Sequence, residues 1–282
     1  MQLGQFQLTT VSGGRFQIDG GTMFGVVPKS LWSRVISSDD SNHIPQATNC
    51  LLVNTLDRKV LIDTGYGAKL PEKQRKIFRS ERGDPLVVSL KAAGVLPEQI
   101  DMVILSHLHF DHAGGATRHD DQRGLVPTFP NAEYVVQRRE WMIATAELPE
   151  LQVAYPLENL LPLKRANQLR FIDGDVDIVT GIHSVVTGGH TVGHQVFIIE
   201  SDGESAVYLA DLCPTWRHLP TLWCMSYDVD VLQTRRKKPE LLGHIADNGW
   251  LAVADHDPDH AAARLHRDKK RDFSVTEAIK TL

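Results

Sequence analysis

The stretch Met102-Val103-Ile104-Leu105-Ser106-His107-Leu108-His109-Phe110-Asp111-His112-Ala113-Gly114-Gly115 decides how this chain is read. Its apolar opening predicts a buried strand. Four candidate metal ligands, His107, His109, Asp111 and His112, then fall within six positions. Ligands delivered where a strand ends lie at a sheet edge, where a site can open to solvent. Alternate residues of an extended segment point the same way, so His107 and His109 can grip one ion. Asp111 and His112 lie where the chain turns toward Ala113-Gly114-Gly115, and can reach a second. Imidazole and carboxylate without thiolate suit zinc, with iron, manganese or cobalt open. In a chain with only 13 histidines such clustering is not a chance pattern.

Three later residues sit in similar settings. His190 lies in the glycine-rich loop Gly188-Gly189-His190-Thr191-Val192-Gly193-His194, between apolar runs at 185–187 and 196–199. Asp211 follows Ala206-Val207-Tyr208-Leu209-Ala210, and His256 follows Trp250-Leu251-Ala252-Val253-Ala254. Each run reads as a strand, so four ligand segments are predicted at strand ends. Upstream, Cys50 to Asn54 and Lys59 to Asp63 flank Leu56-Asp57-Arg58 as a hairpin. Asp84-Pro85 opens a helix through Lys91 that Gly94 can end. Further helices are predicted around Trp141 to Glu147 and Pro239 to Ala246. Strands, a helix, more strands and another helix suggest sheets with helices packed outside.

With 282 residues, 42% of them hydrophobic, the chain can bury one substantial core or two modest ones. A net charge of −5 argues against a nucleic-acid binder working through a basic surface. The two basic runs, Arg235-Arg236-Lys237-Lys238 and Arg264 to Arg271, read as solvated helix faces. Three cysteines without paired spacing, Cys50, Cys213 and Cys224, make a disulfide framework unexpected. No apolar run approaches membrane-spanning length, and no signal-peptide pattern opens the chain. The expected setting is cytoplasmic, with no membrane partner.

The ordered set His107-x-His109-x-Asp111-His112, His190, Asp211 and His256 resembles the metallo-β-lactamase superfamily, and Val60-Leu61-Ile62-Asp63-Thr64-Gly65 looks like its first motif. The resemblance implies an αββα sandwich, two mixed β-sheets face to face with helices on the outer faces and two divalent ions at one edge. It implies that His107, His109 and His190 hold one ion, Asp111, His112 and His256 the other, with Asp211 bridging. Asp63 would brace the site. Cys213 is weighed as a rival ligand beside Asp211. Residues 1–282 are expected to form a single domain, with residues 1–45 as an extension contributing to the pocket or to a dimer contact. A homodimer is implied by the resemblance alone.

Within the superfamily, the run from Ser106 to Gly115 is similar to the quorum-quenching N-acyl-homoserine lactonases. The segments Asp19-Gly20-Gly21-Thr22-Met23-Phe24-Gly25-Val26-Val27-Pro28-Lys29 and Asp211-Leu212-Cys213-Pro214-Thr215 are similar to one lactonase-like subgroup. Several lactonases place a tyrosine three residues after the bridging aspartate, where this chain has Pro214. Two ions roughly 3.5–4 Å apart can share a water, lower its pKa and direct the resulting bridging hydroxide at a lactone or ester carbonyl. Asp111 is the candidate to orient it and pass a proton to the leaving oxygen. With proline at 214, His218 and Tyr227 are the candidate oxyanion donors. Phe110, Met23 and Phe24 are candidates for the substrate wall, while Val26, Val27 and Trp32 read as core. His194 reads as structural. Asp63, Asp255 and Asp257 are candidate acceptors for the outer ring nitrogens of ligand histidines.

The expected activity is opening of the lactone ring of N-acyl-homoserine lactones. An arylesterase or an organophosphate (phosphotriester) hydrolase needs the same site. An iron-dependent persulfide dioxygenase resembles the motif but uses a single ion held by two histidines and an aspartate, so the intact second ligand set counts against it. Metal-dependent nucleases are disfavoured by net charge, and a non-catalytic metal binder by the complete ligand set.

Overall fold

The structure is a computed structural model that describes residues 1–122 and 124–282. Its strands, in chain order, are β1 (Gln2–Leu3), β2 (Phe6–Asp19), β3 (His43–Asn54), β4 (Lys59–Ile62), β5 (Met102–Ile104), β6 (Thr117–His119), β7 (Leu125–Pro127) and β8 (Glu133–Gln137). They continue with β9 (Leu169–Ile172), β10 (Val176–Val179), β11 (Ile182–Val186), β12 (Gln195–Ser201), β13 (Glu204–Tyr208), β14 (Leu251–Val253), β15 (Ala262–Asp268) and β16 (Asp272–Ile279). One seven-stranded sheet runs β1-β2-β3-β4-β5-β8-β9, the other β10 through β16 in sequence order, and β6-β7 form a small hairpin. Both large sheets are mixed: β4-β5, β5-β8, β8-β9 and β13-β14 are parallel and the remaining neighbours antiparallel.

The short strands read as unbroken apolar runs because both of their faces are covered. Val60 and Ile62 face the layer between the sheets, whereas Leu61 packs outward with Leu86 and Leu90 of the helix Pro85–Ala92. Met102 and Ile104 alternate with Val103 in the same way. In the second sheet Ala206, Tyr208, Leu251 and Val253 point to the central layer, while Val207 and Ala252 pack on Leu242 and Ile245 of the helix Val231–Asn248. These layers make the αββα sandwich. Asp84 caps Pro85–Ala92 by accepting from Val87 N at 3.2 Å, as the Asp-Pro pair predicts.

Three expectations need correction. The helix expected around Pro239 to Ala246 runs Val231–Asn248, capped by Asp230 and by left-handed Gly249, with Pro239 inside it. Packing of its Leu242 and Ile245 face offsets the proline, which costs about 3 kcal/mol in a helix interior. Within that helix Lys238 is buried rather than solvated, and its Nζ donates to the carbonyls of His218, Pro220 and Trp223 at 2.6–3.0 Å. The second basic run lies on the β15-β16 hairpin, where Asp268 Oδ1 accepts from Lys270 N and Arg271 N in the turn.

Candidate metal centre

The four ligand segments emerge where expected: after β5, between β11 and β12, after β13 and after β14. His107 and His109 extend beyond β5, and the turn Phe110–Ala113 brings Asp111 and His112 back toward them. One group comprises His107, His109, His190 and Asp211. Here His109 Nδ1 lies 3.1 Å from His107 Nε2 and 3.0 Å from His190 Nε2, and Asp211 Oδ2 is 2.9 Å from His190 Nε2. Bonds of about 2.0–2.1 Å to one tetrahedral ion place ligands about 3.3 Å apart. The spacing fits.

A second group comprises His112, Asp211, Asp255 and His256. Asp211 is common to both, with Oδ1 3.3 Å from His256 Nε2 and Oδ2 3.6 Å from His112 Nε2. Asp111 flanks this group on its partly exposed side: Oδ2 is 3.5 Å from His256 Nε2 and Oδ1 3.9 Å from His112 Nε2. His112 Nε2, Asp211 Oδ1 and both Asp255 carboxylate oxygens are buried without a hydrogen-bond partner. Orphaned donor and acceptor atoms converging on one point are costly unless a cation joins them. The residues fit two divalent ions.

The outer ring nitrogens are anchored separately. His112 Nδ1 meets Asp63 Oδ2 at 2.9 Å, and Asp63 also accepts from Ser106 N, Ser106 Oγ and the Tyr208 hydroxyl. Asp63 therefore braces the site, from a left-handed backbone with φ 58°. His190 Nδ1 meets Asp228 Oδ1 at 2.9 Å, and His256 Nδ1 meets the Ala47 carbonyl at 2.7 Å. Asp257 is no such acceptor: its Oδ2 takes Arg217 Nη1 and Trp216 N. Asp255 faces the Nε2 edges of His112 and His256 rather than their outer nitrogens. Asp228, which stands outside any motif, supplies the missing acceptor.

Burial, reinforced by neighbouring imidazoles, holds His107 and His109 well below the usual histidine pKa, which keeps them in the neutral ligating form. Burial would also lower His190 and His256, but Asp211 lifts His190 to about 10, and Asp255 with Asp211 lifts His256 to about 9. Burial and the nearby Asp211 carboxylate raise Asp255 to about 7 against the opposing pull of His256. Such opposed shifts mark one crowded charge cluster.

Two supporting residues hold the ligand loops. His194 Nε2 accepts from Asp211 N at 3.0 Å, and its Nδ1 contacts Thr187 Oγ1, a structural role. Buried Glu140 had no signal in the sequence. It accepts from Leu108 N, the Tyr155 hydroxyl, Thr191 Oγ1 and Gly193 N, tying the first ligand loop to the His190 loop. Cys213 donates to the Thr215 carbonyl and belongs to neither ligand group.

The remaining candidates separate clearly. His218 is fully buried, stacked on Phe24, and both ring nitrogens are occupied, by Thr215 Oγ1 and the Met23 carbonyl. Tyr227 packs edge-on to His190, remains 38% exposed, and its hydroxyl meets only the weak acceptor Met23 Sδ at 3.4 Å. Phe110 stacks on Phe78, while Phe16 stands edge-on to His256. Met23 and Phe24 are buried with Val27, Trp32 and Met225. Val26 is exposed rather than core. A cleft of about 760 Å³ lined by Trp216, Arg217, Trp223, Asp257 and Phe273 includes none of the ligands, so the chemistry lies elsewhere. No helix among the described residues is long and apolar enough to cross a membrane.

A family model of the metallo-beta-lactamase superfamily matches residues 43–272. An N-acyl homoserine lactonase from Bacillus cereus is 30% identical over 174 residues, which cover 57% of this chain and 61% of that protein. The chain thus spans less than two thirds of that relative's length. Among solved structures, a probable metal-dependent hydrolase from Staphylococcus aureus superposes with a TM-score of 0.91 at 31% identity, covering 99% of this chain and 98% of that one. AidC, a dizinc quorum-quenching lactonase bound to its product, superposes with a TM-score of 0.81 at 25% identity, covering 98% of this chain and 96% of that one.

Proposed function

We propose that this chain, which belongs to the metallo-β-lactamase superfamily, is a binuclear metal-dependent hydrolase that opens the lactone ring of N-acyl homoserine lactones. The observation that carries the reading is the Asp211 carboxylate shared between two ligand groups, one oxygen 2.9 Å from His190 Nε2 and the other 3.3 Å from His256 Nε2. His107, His109, His190 and Asp211 would hold one ion; His112, His256, Asp211 and Asp111 the other. When bound, two such ions supply an activated water and Lewis-acid stabilisation of a developing oxyanion.

The protein's own groups do the rest. Asp111, partly exposed beside His256, takes up the proton released as water adds to the carbonyl and returns it to the leaving alkoxide oxygen. Tyr227 supplies the hydrogen bond that Pro214 lacks. Although the residue is 38% exposed, its hydroxyl end is turned inward, and desolvation there together with the carboxylates of Asp211, Asp111 and Asp228 raises the phenol's pKa, so it keeps its proton and donates. Its present partner, a thioether, is readily exchanged for a substrate oxygen. His218 is the positioning residue for the Met23–Phe24 segment, since neither of its nitrogens is free. Phe110, backed by Phe78 and adjoining Phe16, gives an apolar wall for an acyl chain. Pro214 contributes its carbonyl, which accepts from His256 N, rather than a hydroxyl.

That same proline favours a second reading, aryl-ester or phosphotriester hydrolysis, because an aryloxide is a better leaving group than a lactone alkoxide and asks less of a hydrogen-bond donor. The deciding experiment is ring opening of a long-chain N-acyl homoserine lactone by purified protein, followed as acid release at neutral pH. Fast, chelator-sensitive turnover supports the lactonase reading. Negligible lactone turnover with brisk hydrolysis of an aryl ester or phosphotriester by the same metal-loaded sample supports the second.

A further inference from the structure

Asp255 has no role in the mechanism above, yet it is 1% exposed at the heart of the second ligand group. Its Oδ2 lies 3.3 Å from His256 Nε2 and 3.7 Å from His112 Nε2, distances matching those of Asp211 to the same rings. Neither of its oxygens has a hydrogen-bond partner. An outer acceptor role is closed to it, because the outer nitrogens of both rings are already taken by Asp63 and the Ala47 carbonyl. Its backbone is fixed as well, with Asn49 N donating to the Asp255 carbonyl at 2.7 Å. A buried carboxylate aimed at two ligating nitrogens and bonded to nothing is expensive without a cation.

We infer that Asp255 is a further protein ligand of the second ion, which makes the two positions chemically unequal. This rests on the binuclear reading given above. The first position offers three imidazole nitrogens and one carboxylate oxygen, a set that suits tetrahedral zinc. The second offers two nitrogens with carboxylates from Asp211, Asp255 and the flanking Asp111. A donor set rich in carboxylate oxygen favours a harder, higher-coordinate ion such as manganese or ferrous iron. Asp255 closes the buried side of that position, leaving Asp111 on the open side, within reach of substrate.

The test reads metal binding rather than turnover. Holoenzyme and the Asp255→Asn and Asp255→Ser variants are challenged with graded chelator, and the two equivalents of retained metal are followed separately. The second equivalent should weaken by more than the roughly hundredfold upper limit of losing an outer hydrogen bond, with the first unchanged. In cobalt-substituted protein, the visible bands should be weak for the second position of the wild type and intensify in the variants as coordination number falls. Equal retention and an unchanged cobalt spectrum in folded Asp255→Asn would overturn the inference. Should both variants fail to fold, the wild-type spectrum decides: two intense, four-coordinate sites would refute it, and one weak, higher-coordinate site would support it. A wild type that binds a single equivalent would instead defeat the binuclear reading itself.

Discussion

The Glu140 carboxylate accepts a 2.7 Å hydrogen bond from the hydroxyl of Thr191, 51 residues further along the chain in the His190 loop. Its other oxygen accepts from Leu108 N, between His107 and His109. All four of its partners are donors, so an amide at this position would set an N–H against a donor. Glu140→Gln should lower stability by about 2–4 kcal/mol, the cost of buried charged hydrogen bonds, and reduce occupancy of the first metal position. Gly193→Ala should have a similar effect, since an added Cβ would lie 2.5 Å from Glu140 Cβ. Thermal melts combined with metal analysis check both, and wild-type melting in either variant would contradict the clamp.

Asp211→Ala should reduce tightly held metal from two equivalents toward one, because this carboxylate belongs to both groups. Elemental analysis after dialysis reads the outcome. Two equivalents retained would sink the bridging assignment.

Tyr227→Phe should lower kcat by about a hundredfold to a thousandfold, the range for loss of one oxyanion donor, while leaving the metal content intact. His218→Gln should instead act through folding, because His218 is buried between Thr215 and Met23. A kinetic defect larger in His218→Gln than in Tyr227→Phe, at equal thermal stability, would reverse these roles.

Asp111→Asn should cut turnover far more than substrate affinity, as expected for a group that carries the transferred proton. Equal losses in kcat and in binding would argue for a purely structural carboxylate.

Metal uptake should release protons at neutral pH. In the metal-free protein His190 and His256, lifted from an ordinary 6.5 to about 10 and about 9, each hold a proton that an ion must displace. The sign is therefore an affinity that rises with pH through 9–10. Calorimetry in buffers of different ionisation enthalpy measures the released protons, and an enthalpy independent of buffer would contradict the linkage.

Much of this protein is local and was legible as such. The strand from Met102 and the ligand run from His107 lie side by side in sequence, so period-two alternation and ligand spacing report them directly. The Asp84-Pro85 cap and the hairpin around Asp57 are equally short-range. The chain alone therefore determined the sheet-and-helix layering and the ligands at strand ends, while the bracing place of Asp63 came with the resemblance of Val60 to Gly65 to the superfamily's first motif.

Tertiary structure decided what depends on side chains meeting across long loops. Glu140 reads as one charge in an ordinary helix until Thr191 and Gly193 arrive beside it. Lys238 reads as solvated until three carbonyls of the 218–223 segment close over its amine. Asp228 acquires meaning only when His190, 38 residues away, turns Nδ1 toward it. Asp255 and Asp257 are near-identical in sequence context, yet one faces the ligand nitrogens and the other a guanidinium. Spacing along a chain records which faces of an element are apolar. The direction of a buried polar group is settled by which distant donors and acceptors packing leaves within about 3 Å of it.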